Sequence, residues 1–272
     1  MRPRHNDAKI AQVQVVAWRK LGSAGRLRVA ADLSDDARRI TADKIRKSNP
    51  SYSEDEVRRA LSKAFGDRDD TPSERRIAAA SIALEDAIAR LLDLLETSSV
   101  PFMLTGSIAS TAHGVPRATS DLDVVIDPSE RELEAFLASL GEGGWRIDGG
   151  ENAARQARNR RTHFVVVDDA TSWKVDLVVK KDRPFSVAEF QRRERVEVLG
   201  VPAWVASAED VIVSKLEWSK QSTDVTQRSR QRRDVAGVVA SRGAELDREY
   251  VERWVDALDL ADEWTQAANV IP

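Results

Sequence analysis

The 272-residue chain contains no cysteine. Disulfide staples and thiolate metal sites are therefore excluded, and a reducing compartment is the natural setting. Its three histidines are scattered, which argues against a zinc site. No apolar run reaches the ~20 residues that a membrane span requires. The start, "MRPRHNDAKIAQVQVVAW", lacks the uninterrupted apolar stretch of a secretory leader. A cytoplasmic protein with no membrane partner is the expectation. What is present is globular material: 42% apolar and 32% charged residues, with a net charge of -3. That supports the core of one large domain or two modest ones. The charge is uneven, with about +5 over residues 1–70 and about -8 over the rest. The basic part suits a nucleic acid or an acidic partner, and equally a solvated helical surface.

Residues 1–66 place apolar side chains at three- and four-residue spacings and read as helices. Pro50 is a stop, Ser53 and Glu56 form a capping box, and Gly66 closes that helix. "DRDDTPSERR", 67–76, is polar, holds a proline and reads as a linker. A long helix from Ile77 then leads into the strand "PFMLT". The helix Ser107 to His113 is closed by Gly114, with His113 placed as a cation suited to the helix dipole. "DLDVVID" is a strand, and "PSERELEAFLASLG" is a helix capped by Ser129 and Glu132. "THFVVVDD" and "SWKVDLVVK" make a hairpin. A helix "FSVAEFQRR", opened by Ser186 and Glu189, precedes the short strands "RVEVLG" and "PAWVA". Three helices close the chain: "SAEDVIVSKLEWSK", "VTQRSRQRRDVAGVVASRG" and "DREYVERWVDALDLADEWTQAA". Strands mixed with helices, then helices alone, point to an α/β or α+β fold with a helical tail. The expected division is a helical unit over 1–70, a core over 77–206 and a helical region over 207–272.

Asp121 and Asp123 are awkward strand residues unless something pairs with them. Alternation puts both on one face of their strand, opposite Leu122, Val124 and Ile126. In "SWKVDLVV" it puts Asp176 opposite Trp173, Val175, Leu177 and Val179. If the two strands lie side by side, three carboxylates converge. Crowded carboxylates raise one another's pKa values, and a divalent cation relieves that. Magnesium prefers carboxylate oxygens together with water or substrate phosphates, and a pair of such ions can hold both oxygens of a phosphoryl displacement. Gly106-Ser107 closes a strand and opens a helix. Gly106 lets the backbone come close to a ligand, the helix start favours an anion, and the Ser107 hydroxyl can donate to a phosphate oxygen. Plain helix capping by serine is the competing reading.

Gly106-Ser107, an intervening helix, the pair Asp121 and Asp123, and a third strand aspartate in "KVDLV" resemble the nucleotidyltransferase fold of the polymerase-beta superfamily. Within it the chain is most similar to the AbiEii-like and MenT-like bacterial nucleotidyltransferases, many of which are toxins of toxin–antitoxin systems. "SAEDVIVSKLEWSK" and "RQRRDVAGVV" resemble that family's downstream helices, with Lys215 and Asp234 at its lysine and aspartate positions. The resemblance covers roughly 77–270. It implies an α+β nucleotidyltransferase fold, a small mixed sheet flanked by helices, with an N-terminal helical extension. It implies that Asp121, Asp123 and Asp176 bind two magnesium ions and serve catalysis. Gly106 and Ser107 would hold the triphosphate of an NTP such as ATP, Lys215 would reach a phosphate, and Asp234 would sit at the nucleotide site. The implied reaction passes a nucleoside monophosphate to an acceptor hydroxyl, with tRNA, a protein or an antibiotic as the acceptor. A non-catalytic nucleotide-sensing or antitoxin-type module is the alternative. Residues 1–70 would be a fused regulator, an arm for a nucleic-acid acceptor, or a stability or dimerisation element; a separate antitoxin is a further candidate partner.

Overall fold

The computed structural model describes residues 5–65, 84–150, 153, 155–157 and 163–270. Gly66, the linker 67–76 and the opening of the helix expected from Ile77 lie outside the described residues. The described helices are α1 (His5–Ser48), α2 (Glu54–Ala64), α3 (Leu84–Thr97), α4 (Gly106–His113), α5 (Glu130–Ser139), α6 (Pro184–Gln191), α7 (Ala208–Gln221), α8 (Val225–Arg242), α9 (Arg248–Ala257) and α10 (Ala261–Ala268). The strands are β1 (Phe102–Leu104), β2 (Asp121–Ile126), β3 (Trp145–Ile147), β4 (His163–Asp168), β5 (Lys174–Val179), β6 (Glu194–Val198) and β7 (Val201–Val205). Their order in the sheet is β3-β4-β5-β2-β1-β7-β6, mixed in direction, so the fold is α+β as expected.

The chain divides into two compact units, neither continuous in sequence. The first comprises Met1–Val29, Leu104–Arg117 and Asp182–Pro272; the second comprises Ala30–Met103 and Ala118–Lys181. The backbone passes between them inside α1, at Val29–Ala30, and inside β1, at Met103–Leu104.

In the second unit, β2 and β5 run parallel and β4 and β3 follow antiparallel. The hairpin expected of "THFVVVDD" and "SWKVDLVVK" is β4–β5. Leu122, Val124 and Ile126 are buried and alternate with half-buried Asp121, Asp123 and Val125, as a strand packed on one face requires. In α3, Leu84, Ile88, Leu91, Leu92 and Leu95 form the buried stripe, at the spacing that keeps one helix face apolar. Ser53 and Ser129 both complete the capping boxes read from the sequence, each exchanging bonds with the glutamate three residues on. Strand β3 was not anticipated, because three residues are too few to show alternation.

In the first unit β7 pairs with β6, and Val205 with Leu104 of β1. Gly114 does end α4, but at φ -125 rather than in the left-handed region. Its necessity is close packing: a Cβ there would lie 2.8 Å from the Ser110 carbonyl oxygen and 3.0 Å from the Val238 backbone nitrogen in α8. The helix expected to open at Ser186 and Glu189 begins instead at Pro184, with Arg183 at the N-cap. Proline fixes φ and has no N–H, which suits the first helical position, so Ser186 and Glu189 fall inside α6. The last helix, expected to be continuous, breaks into α9 and α10. Asp259 adopts φ 55 there, the Leu260 N–H donates to the Val255 carbonyl and the Asp259 N–H to that of Asp256. That pattern is a Schellman ending, and Lys220 Nζ fastens it by donating to both the carbonyl and the carboxylate of Asp259.

Candidate active site

In the second unit the β2–β5 register places Asp123 directly beside Asp176 and Asp121 beside Lys174. Neighbouring residues on parallel strands point to the same side of the sheet. Asp123 and Asp176 therefore share a face, with Asp121 two residues along on that face. All three are half-buried. Lys174 is turned to Asp148, with Nζ 3.2 Å from Oδ2. Asp176 meets a residue that sequence reasoning passed over: His163 Nε2 lies 2.9 Å from its Oδ1. The register was the available signal, since Val165 faces Asp176 across β4–β5 and His163 is two residues before it, on the same face.

The approach to Asp121 is held by α1. The Thr119 N–H donates to Ser34 Oγ at 3.0 Å, and Thr119 Oγ1 donates to the Asp121 carbonyl at 2.8 Å. Arg38, at 0% exposure, donates to the Ser120 carbonyl at 3.3 Å and the Ser172 carbonyl at 3.2 Å. Its guanidinium lies over the Trp173 ring at 3.8 Å and the Phe65 ring at 4.6 Å, an arrangement in which the ring faces attract the cation. Burial lowers its pKa to about 10, while the charges of Asp35 and Asp121 hold it up. Ser34 and Arg38 thus fix the turns that lead into both aspartate-bearing strands. Sequence reasoning read them as positions on a basic helix, because their partners lie 82 to 134 residues away.

Among the described residues, no three His, Cys, Asp or Glu side chains gather closely enough to hold a metal ion. The chemistry of the donors nonetheless suits a hard cation: half-buried carboxylates on one face, two of them side by side. Magnesium is commonly held by one or two carboxylates, with water and substrate phosphates completing its shell.

In the first unit, Gly106 takes φ 58 at the first position of α4, a left-handed conformation that glycine adopts without steric cost. Ser107 follows it and is 4% exposed. Asp234 of α8 is the hub of an ion triad. Arg117 reaches it with two parallel bonds of 2.9 Å, and Lys215 Nζ lies 3.0 Å from Oδ2. The Lys215 and Asp234 side chains are each 8% exposed. Burial alone would raise the Asp234 pKa, but Lys215 and Arg117 outweigh it and hold the carboxyl below its ordinary value. Asp234 is thus partnered from α7 and from the segment that follows α4. His113 is not the dipole-suited cation that its place suggested. Burial pulls its pKa to about 4, so the ring is neutral, with Nε2 2.8 Å from the Ala206 carbonyl. The structure therefore brings Asp121, Asp123 and Asp176 to one face of the second unit, and Lys215 and Asp234 together in the first.

No family model and no curated protein matches the chain. Among solved structures it is similar to the antibiotic-resistance factor ANT(2″)-Ia in solution, at 16% identity and a TM-score of 0.42, covering 67% of this chain and 94% of that one. ANT(2″)-Ia in complex with adenylyl-2″-tobramycin gives 14% identity and a TM-score of 0.44, covering 64% and 98%. An antigenic nucleotidyltransferase-like protein from Paracoccidioides brasiliensis gives 16% and 0.41, covering 68% and 93%. Likenesses this distant assign no activity; the chain's own residues must carry it.

Proposed function

We propose that the protein is a magnesium-dependent nucleotidyltransferase that moves a nucleoside monophosphate from an NTP to an acceptor hydroxyl, with pyrophosphate as the leaving group. The observation that carries this reading is the register that sets Asp123 beside Asp176, with Asp121 on the same face. Asp121 and Asp123 would hold the magnesium, which when bound neutralises charge on the transferring phosphoryl group. Asp176 accepts the proton of the attacking hydroxyl, as a carboxylate within hydrogen-bond reach can. His163, 2.9 Å away, orients it. Gly106 and Ser107 take the triphosphate through the start of α4, where the helix dipole favours an anion. Lys215 and Arg117 both bind Asp234, and Lys215 would reach a phosphate, as the motif resemblance implies. Asp234 holds the two cations in place.

The acceptor we propose is tRNA, with a toxin-like role, on the strength of the motif resemblance. The test is incubation of the full chain with each α-phosphate-labelled NTP, Mg²⁺ and total RNA, beside Asp123→Ala. Label on RNA with wild type alone supports the reading. Label on protein, or on an added aminoglycoside, redirects the acceptor and keeps the transferase. Binding of NTP without transfer to any acceptor overturns the reading in favour of a nucleotide-sensing module. Label that persists with Asp123→Ala overturns the metal assignment.

A further inference from the structure

A cavity of about 340 Å³ lies in the first unit at the carboxyl end of α4, the opposite end from Gly106. Arg19 and Arg26 of α1 and Arg242 at the end of α8 line it. Arg26 is 6% exposed. Its guanidinium donates to the carbonyls of Trp18 at 3.0 Å, Thr111 at 3.2 Å and Ala112. These acceptors are neutral, and no carboxylate pairs with Arg26 or Arg19 among the described residues. Burial, and then the like charge of Arg242, push the Arg26 guanidinium below its ordinary pKa. Among the described residues the carboxylate paired with Arg242 is Glu245, at 3.7 Å, with the Glu245 side chain 76% exposed. Its Nε is buried and has no partner.

The rest of the lining leaves that positive charge in place. His113 is neutral, so it neither adds to it nor opposes it. Ser23 and Ser241 supply hydroxyls. The two carboxylates of the lining, Glu194 and Glu245, are exposed, where water screens them. Gly22, also on the lining, breaks α1 with φ 66 and ψ -178, so the second half of the helix starts at the cavity, and a helix start favours an anion. A buried guanidinium with no counter-ion is costly, and an entering anion would remove that cost.

We infer that this cavity binds a phosphate-bearing small molecule, gripped by Arg19, Arg26 and Arg242 with Ser23 and Ser241. Arginine forks match phosphate oxygens two at a time. The volume exceeds that of one phosphate ion and falls in the range of small-ligand sites, so the occupant is a phosphomonoester in preference to free phosphate. The site is independent of the transferase reading: it uses none of its residues.

Calorimetric titration of the full chain in EDTA with AMP, inorganic phosphate and pyrophosphate tests the inference. The absence of metal disables the proposed transfer site. We expect AMP to bind with a Kd below about 1 mM and more tightly than inorganic phosphate. Arg19→Gln with Arg242→Gln should weaken binding about tenfold or more, while Asp123→Ala and Ser107→Ala bind as wild type. Arg19 is exposed, so Arg19→Gln alone keeps the test open if the double variant does not fold. Tighter binding of inorganic phosphate than of AMP would keep the site and change its ligand to the free ion. Binding unchanged by the arginine substitutions, binding lost in Asp123→Ala or Ser107→Ala, or no binding of any probe by about 10 mM overturns it. Failure of label transfer in the acceptor assay would leave this result standing.

Discussion

Asp234 in the first unit and the aspartates of the Asp121–Asp123–Asp176 face in the second are all residues that the family resemblance places at the site. Their structures differ in what compensates the charge. Asp234 is buried and held by two cations at 2.9 and 3.0 Å. The β2–β5 aspartates are half-buried; Thr119 Oγ1 lies 3.4 Å from Asp121 Oδ1 and the charge of Arg38 also acts on Asp121, while an imidazole that is 53% exposed reaches Asp176. A carboxylate neutralised inside the fold contributes to stability and is closed to further cations. A carboxylate kept at a partly open face, beside another, stays accessible to ligand. Glu189 is a third case. It is buried, donated to by Ser214 Oγ at 2.9 Å, and pushed up to about 7, first by burial and also by the charge of Asp210.

The contrast can be broken by substitution. Asp234→Ala leaves Lys215 buried without that carboxylate and removes the partner that Arg117 also binds, and should cost about 3–5 kcal/mol in urea unfolding. Its sign with pH is set by the depressed Asp234 pKa. The stabilisation is present at neutral pH and fades as pH falls through the folded pKa, so wild type and variant should converge in acid. Arg38→Ala removes two carbonyl bonds and two ring contacts and should cost about 2–4 kcal/mol. If Arg38 only packs, Arg38→Met restores stability; if it also sets Asp121, Arg38→Met still lowers label transfer.

Glu189 should give a slope of opposite sign. Between its ordinary value of 4.5 and about 7 the folded chain holds a proton that the unfolded chain has released, so stability falls as pH rises through that window. Glu189→Gln should flatten this slope and gain on wild type at pH 8, by about 1–3 kcal/mol. The smallest stability change belongs to Asp123→Ala, within about 1 kcal/mol, although label transfer should fall at least about 100-fold. A large stability loss there would mean that Asp123 is structural and would remove the difference between the two regions.

The sequence reading reached those parts of the fold that short-range periodicity encodes. Alternation in "DLDVVI" and "SWKVDLVV" was enough to put three aspartates on shared faces, and serine–glutamate spacing was enough for two caps. It did not reach what depends on distant partners. Nothing local marks Asp234 for Arg117, since 117 residues separate them. His163 needed the hairpin register, and Arg38 needed the turns at Ser120 and Ser172. Local rules also misled at Ser186 and Glu189, where Pro184 starts the helix sooner. They misled at His113, where burial overrides any benefit from the helix dipole.

Arg26 and Arg38 have a consequence for the order of assembly. Both sit on α1, yet their acceptors lie far later in the chain: the carbonyls of Thr111 and Ala112 for one, and of Ser120 and Ser172 for the other. During translation at ~5–20 residues per second, α1 must wait seconds for those carbonyls to leave the ribosome. Until then two arginines destined for burial remain in water, and the apolar side of the helix has nothing to cover it. Chaperone dependence of the nascent chain should therefore persist from the synthesis of α1 until the turn at Ser172 emerges.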